Sequence, residues 1–362
     1  MDSKQTNLIW SPEIALRTKE QVLIEDWSTT DNLDGFKIQR KRITAPLPSL
    51  ETWTTFKPAA ELNGVTIFYQ QPSCPPLPTR QEFIDVATND PLHKGAYLHD
   101  EAENLLYLAE MRPELRIPTL LAAWSIQSES DTPIYFFMMN YIEGDYMTDQ
   151  YFASLPVHAQ DVICGKLSSQ LRYLRELPSE GYYGRVNGKG WLRPPPGLDT
   201  NTTAHHTVVG PCRTYEDFCS VMYRSEQVQQ AIGYGSKEWS PFHHRGLTKL
   251  ASLLAGWKPN EPRLTWIDPK IKNIIARPIQ GDDGSEDWEV FLIDWECLGW
   301  YPAWLQALQV YRRCGSIIRD PANEQKWIIH RKDDVKAMVL KEFDPEPDWE
   351  KIKYLCLGSN FY

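Results

Sequence analysis

The chain has 362 residues, 42% of them hydrophobic and 24% charged, and a formal net charge of −10 from 38 basic against 48 acidic side chains. This is globular composition, so wholesale disorder and collagen-like repeats are excluded, and an acidic balance with no long basic run argues against a nucleic-acid or anionic-membrane partner. No stretch approaches 18 consecutive apolar residues, the amino-terminal segment has no apolar h-region, and the seven scattered cysteines form no CxxC pair. A soluble cytoplasmic protein of about two lobes, without structural zinc or a disulfide framework, is expected.

Along the chain, residues 1–73 carry short β-like runs such as VTIFYQQ at 65–71, between turn-rich stretches. They are taken as an N-terminal extension of uncertain structure and a candidate surface for a protein partner. Residues 72–80 form a proline-dense connector. A short helical pattern follows at 80–87, then an amphipathic helix over 100–115 whose stripe is Ala102, Leu105, Leu106, Leu108 and Ala109. Residues 116–126 and 131–145 read as two antiparallel strands around a polar turn. A helix is predicted from 157 to about 177, where Pro178 stops it. A glycine-rich loop at 181–191 precedes helices near 215–224 and 247–254. Two hydrophobic strands come next, at 263–268 and 289–295, the second preceded by the hairpin-like insert QGDDGSED. Everything from 303 onward is expected to be mostly helical. The domain reading is therefore an extension (1–73), a short front lobe with a hinge (74–143) and a helical back lobe (144–362).

Two apparent motifs do not survive inspection. GRVNGKG lacks both the four-residue glycine spacing and the Ser or Thr of a phosphate loop. The neighbouring pairs His205–His206 and His243–His244 diverge as chain neighbours and do not chelate one ion unaided.

The informative stretch is LTWIDPKIKNIIA at 264–276, followed by FLIDWECLGWYP at 291–302. A strand leads to Asp268, Asn273 lies five residues on at the start of a second β-run, and a third strand delivers Asp294. Phosphoryl transfer from a metal nucleotide needs a carboxylate to orient or deprotonate the acceptor hydroxyl. It also needs oxygen donors to hold magnesium against the phosphates. This trio supplies that set in a workable order, although each residue alone is an ordinary turn former.

These two segments resemble the corresponding motifs of aminoglycoside phosphotransferase-like proteins, especially their fungal branch, which reads T-H-G-D-L-x-P-x-N-I and then I-D-W-E-x-x-G-W-Y-P. EAENLLYLAE at 101–110, MMNYIEGD at 138–145 and the segments around 174–187 and 208–218 are similar to further landmarks, so the resemblance spans roughly 75–320. It implies an α+β, protein-kinase-like two-lobe fold with a small β-rich N-lobe and a larger helical C-lobe. By the same resemblance Asp268 is the catalytic Asp, and Asn273 and Asp294 are magnesium ligands. Glu101 is the helix Glu that pairs with a phosphate-binding Lys, with Lys94 as the nearest candidate, and the backbone at Asn140–Tyr141 receives adenine. The expected activity is ATP- and magnesium-dependent O-phosphorylation of a small-molecule hydroxyl.

The chain departs from the family pattern in three places. Trp266 and Ile267 stand where the family has His-Gly, and Pro269 follows the Asp. No glycine-rich phosphate loop precedes Glu101. Lys94 lies closer to Glu101 than the family's Lys, and reading Gln70 or Gln71 at that position would leave no Lys at all. These departures keep two further readings open. One is a repurposed fold doing ATP-independent cyclase- or isomerase-type biosynthetic chemistry without a cofactor, in a cleft lined by Trp266, Trp295 and Trp300. The other is a non-enzymatic binding module.

Overall fold

Thr18 opens the first helix by a reciprocal cap: its hydroxyl accepts from the Gln21 N–H while the Gln21 side chain accepts from the Thr18 N–H. Helix α1 (Lys19–Trp27) stops at Ser28, which takes the left-handed conformation, and α2 (Asn32–Ile43) follows. The computed structural model describes residues 17–43, 49–62, 64–77, 82, 97–127, 133–191, 208–233, 238–241, 244, 247–248, 254, 257–281, 284–313, 316–320, 323–330 and 332–341.

A four-stranded antiparallel sheet forms the front of the molecule, in the order β1 (Ala60–Leu62), β2 (Val65–Gln70), β3 (Leu120–Gln127), β4 (Pro133–Met139). β1 and β2 come from the segment read as an extension, and they belong to the same sheet as the β3–β4 hairpin. One face of the sheet packs Ala122, Trp124 and Ile126 against Val65, Ile67, Phe136 and Met138. The other receives helix α3 (Tyr97–Met111), which buries Ala102, Leu105 and Leu108 in the main core.

The chain then passes through β5 (Asp145–Tyr146) into helices α4 (Asp149–Ser154), α5 (Val157–Arg175) and α6 (Tyr215–Ile232). β5 pairs with β7 (Ile274–Gln280), whose hairpin partner is β8 (Glu286–Leu292), while β6 (Pro262–Thr265) pairs with β9 (Gly299–Pro302). After helix α7 (Trp304–Arg313) comes the hairpin β10 (Ser316–Asp320) and β11 (Asn323–His330), then helix α8 (Lys332–Leu340). That hairpin corrects the expectation of a mostly helical remainder. Its β-branched pairs Ile317–Ile318 and Ile328–Ile329 favour strands, and Ile317 pairs with Ile329 in the ladder. The helices expected at 80–87 and 247–254 lie largely outside the described residues.

The architecture is α+β: a small antiparallel sheet with one helix against it in front, and helices with three short sheets behind. The main core is strongly aromatic, with Trp257, Trp266, Trp295 and Trp300 fully buried in it.

Candidate functional site

β6 ends at Thr265, three residues short of Asp268, and β8 ends at Leu292, two residues short of Asp294. A single 3₁₀ turn, Ile271–Asn273, leads from the Asp268 loop into β7. Because β7 and β8 form one hairpin with Ile274 opposite Leu292, Asn273 and Asp294 are placed side by side at its open end. The Ile293 N–H donates to the Asn273 carbonyl at 3.0 Å and fixes that register.

Asn273 joins the trio. Its buried amide nitrogen donates to the Asp268 main-chain carbonyl at 3.0 Å and to Asp294 Oδ2 at 2.9 Å. Both amide hydrogens are thereby used, which leaves Oδ1 as the side chain's remaining acceptor. Two carboxylates and an amide oxygen are hard donors of the kind magnesium takes, usually completed by phosphate oxygens and water. Among the described residues no three His, Cys, Asp or Glu side chains converge on one metal position, so a magnesium ion here would rely on Asn273 and on such outside oxygens. On donor chemistry the residues fit the ion.

A residue that motif reading passed over completes the cluster. Lys270 extends its ammonium to Asp268 Oδ2 at 2.5 Å, and its N–H donates to the Asp268 carbonyl at 2.7 Å. The signal was present in DPKIKN as a lysine two residues after the Asp, on the same tight loop. Burial and the charge of Asp268 raise the Asp294 carboxyl above the usual carboxylate range, while Lys270, the Asn273 amide and Lys272 pull the other way.

The loop is held from beneath by polar clips in an otherwise apolar core. Gln306, fully buried on α7, accepts from the Trp266 N–H at 3.0 Å and donates to its carbonyl at 2.8 Å. The Trp266 indole donates to the Asp294 carbonyl at 3.0 Å and stacks on Trp295 with centroids 5.4 Å apart. Trp266, Trp295 and Trp300 expose none of their surface, so these indoles pack the floor under the carboxylates and line no open cleft in this structure. Ile267 is buried outside the left-handed region, so this backbone makes no demand for glycine there.

Glu101, on α3, accepts from the Trp295 N–H at 3.2 Å, the residue after Asp294, and forms no ion pair among the described residues. Burial, with the charges of Asp294 and Glu296 added, pushes its carboxyl up to about 7. Lys94 lies outside the described residues. Asn140 follows β4, and its N–H is already used by the Thr119 carbonyl at 3.0 Å. Its side-chain oxygen accepts from the Thr119 N–H at 2.6 Å. Tyr141 is 87% exposed beside it. At the hinge, then, the Asn140 main-chain N–H is not free for a base.

No protein-family model matches the sequence, and no curated protein is similar to it at a significant level. Solved structures are similar at low identity. The gentamicin complex of APH(2'')-IIa is 13% identical, with 72% of this chain and 70% of that one covered at a TM-score of 0.37. The ADP-bound aminoglycoside phosphotransferase APH(2'')-Ib is 12% identical over 88% and 84%, at 0.39. The streptomycin–ATP complex of APH(2'')-IIa gives 12%, 88%, 84% and 0.40. At that level the chemistry of the site has to be read from this chain's own residues.

Proposed function

We propose that this chain is a phosphotransferase that moves a phosphoryl group from magnesium-bound ATP to the hydroxyl of a small molecule. The observation that supports it best is Asn273 bridging the Asp268 main chain and the Asp294 carboxylate, which holds the loop that carries the base beside an amide oxygen and a second carboxylate. In this reading Asp268 orients the acceptor hydroxyl and takes its proton, while Asn273 and Asp294 hold the metal. When bound, magnesium ATP supplies the phosphoryl group and neutralises the charge that develops on its oxygens. Lys270 pairs with the Asp268 carboxylate and sets a positive charge where an anionic phosphoryl oxygen arrives. Burial of Trp266, Trp295 and Trp300 counts against the aromatic cleft named for a cyclase or isomerase reading.

The acceptor is read only as a hydroxyl-bearing small molecule. Among the similar structures, one holds gentamicin and another streptomycin with ATP, both small molecules. The test starts with melting temperature in millimolar Mg·ATP. A ligand at about 100 times its Kd adds about 2.7 kcal/mol, a shift of several degrees, and Asp294→Ala should abolish it. ADP release is then followed across a panel of hydroxylated metabolites. With an acceptor in hand, Asp268→Ala should lower kcat by about 10²–10⁴-fold while the fold is kept. An absent magnesium-dependent shift, or unchanged turnover in Asp268→Ala, rejects the proposal.

A further inference from the structure

The backbone at Asp294 has φ of +65°, a left-handed conformation uncommon outside glycine that Asp and Asn adopt more readily than other residues. Three contacts hold the turn around it. The Trp266 indole holds the Asp294 carbonyl at 3.0 Å. On the next residue, two side chains one turn apart on α3 bind both main-chain polar groups of Trp295: Glu101 accepts from its N–H at 3.2 Å, and Asn104 donates to its carbonyl at 2.7 Å. Asn104 also reaches the Glu296 carbonyl at 3.3 Å.

Asn104 exposes none of its surface, with Leu108 one turn on and the acidic Asp100 and Glu101 on the turn before. A leucine would pack there without the cost of burying an amide. What the amide adds is a grip on the turn that aims the Asp294 carboxylate at Asn273.

We propose that Asn104 is a positioning residue for Asp294, acting through the Trp295–Glu296 backbone to keep that carboxylate in its metal-holding orientation. The inference rests on the metal-dependent reading above. It also gives α3 a task separate from the pairing with a lysine that resemblance implies. Groups that orient a ligand through a hydrogen bond change metal affinity by about 10–100-fold when removed.

The test uses the full chain with ADP and Mn2+ as an EPR-visible probe, so phosphate oxygens are supplied and the readout does not depend on knowing an acceptor. Asn104→Asp keeps the shape and loses the donor. Asn104→Leu loses it without adding charge. Leu105→Ala, on the same helix, supplies destabilisation without touching the turn. The expected result is about 10–100-fold weaker Mn2+ binding in the folded Asn104 variants, with Leu105→Ala close to wild type. Unchanged affinity in the Asn104 variants overturns the inference, as does an equal loss in Leu105→Ala. A wild-type chain that binds no Mn2+ overturns the metal-dependent reading itself and this inference with it, and the two failures are thus told apart. Should neither Asn104 variant fold, amide hydrogen exchange of residues 293–298 in the wild type decides. Slow exchange at Leu298, whose N–H shares the Trp295 carbonyl with Asn104, together with slow exchange at Trp295, whose N–H Glu101 holds, supports a held turn. Exchange of Leu298 at free-loop rates overturns it.

Discussion

Glu101 shows how burial turns an ordinary carboxyl into a titrating group near neutrality. Its ordinary value of 4.5 rises to about 7, mainly by desolvation, and Asp294 and Glu296 oppose its ionisation. The folded chain therefore keeps a proton that the unfolded chain releases near pH 4.5. Acid favours folding at this position, and the contribution is whole below about pH 4.5 and lost as pH climbs through 7. Glu101→Gln is uncharged throughout and keeps an acceptor for the Trp295 N–H. Melting curves should show the variant gaining on wild type between pH 4.5 and 7, with a constant gap above that. A gap that ignores pH would mean Glu101 is ionised in the fold.

At the level of elements, Arg185 joins three pieces of chain. Its side chain is 2% exposed and pairs with Asp100 Oδ1 at 2.9 Å and Glu103 Oε2 at 2.8 Å, both on α3, while also donating to the Trp53 carbonyl. Glu103 accepts further hydrogen bonds from the N–H and hydroxyl of Thr55 and from Asn187. The loop at 182–191, the start of the sheet region and the helix under the site are thus tied by one buried cation. Removing one partner of such a cluster leaves charge uncompensated in a low dielectric, at a cost of about 3–5 kcal/mol. Arg185→Met should lower stability by that amount in urea titrations at neutral pH. Adding Glu103→Gln should restore part of it, and a loss under about 1 kcal/mol would show that water already reaches the cluster.

What could be read in advance follows from how local each signal is. That Asp268, Asn273 and Asp294 come together was legible because a strand end and a short hairpin lie within thirty residues of sequence. The hairpin at 316–330 and the cap at Thr18 also had local signals, two Ile-Ile pairs and a T-x-x-Q box, which a reading based on helical composition passes over. Asn104 and Arg185 had none. Each makes its decisive contacts more than 80 residues away, so only the fold shows what they hold.

Across the whole molecule, the question is whether the amino-terminal helices belong to the cooperative unit. Val22, Leu23 and Trp27 of α1 form a cluster with Val228, Ala231 and Ile232 at the end of α6, set apart from the main core. The Trp27 indole donates to the Val228 carbonyl at 3.0 Å, and Asp26 bridges Arg17 at 3.0 Å and Arg224 at 2.7 Å. The earlier turns of α6 place Phe218, Met222 and Tyr223 in the main core. One helix therefore belongs to both clusters, and loss of the smaller one exposes apolar surface on an element that the larger one needs. Trp27→Ala should cost about 3–5 kcal/mol, the range for a buried Trp emptied to Ala. Because the clusters share α6, circular dichroism and tryptophan fluorescence should move to lower denaturant together, as one transition. An early phase seen by one probe alone would mean that α1 and α2 melt off a back half that stands without them.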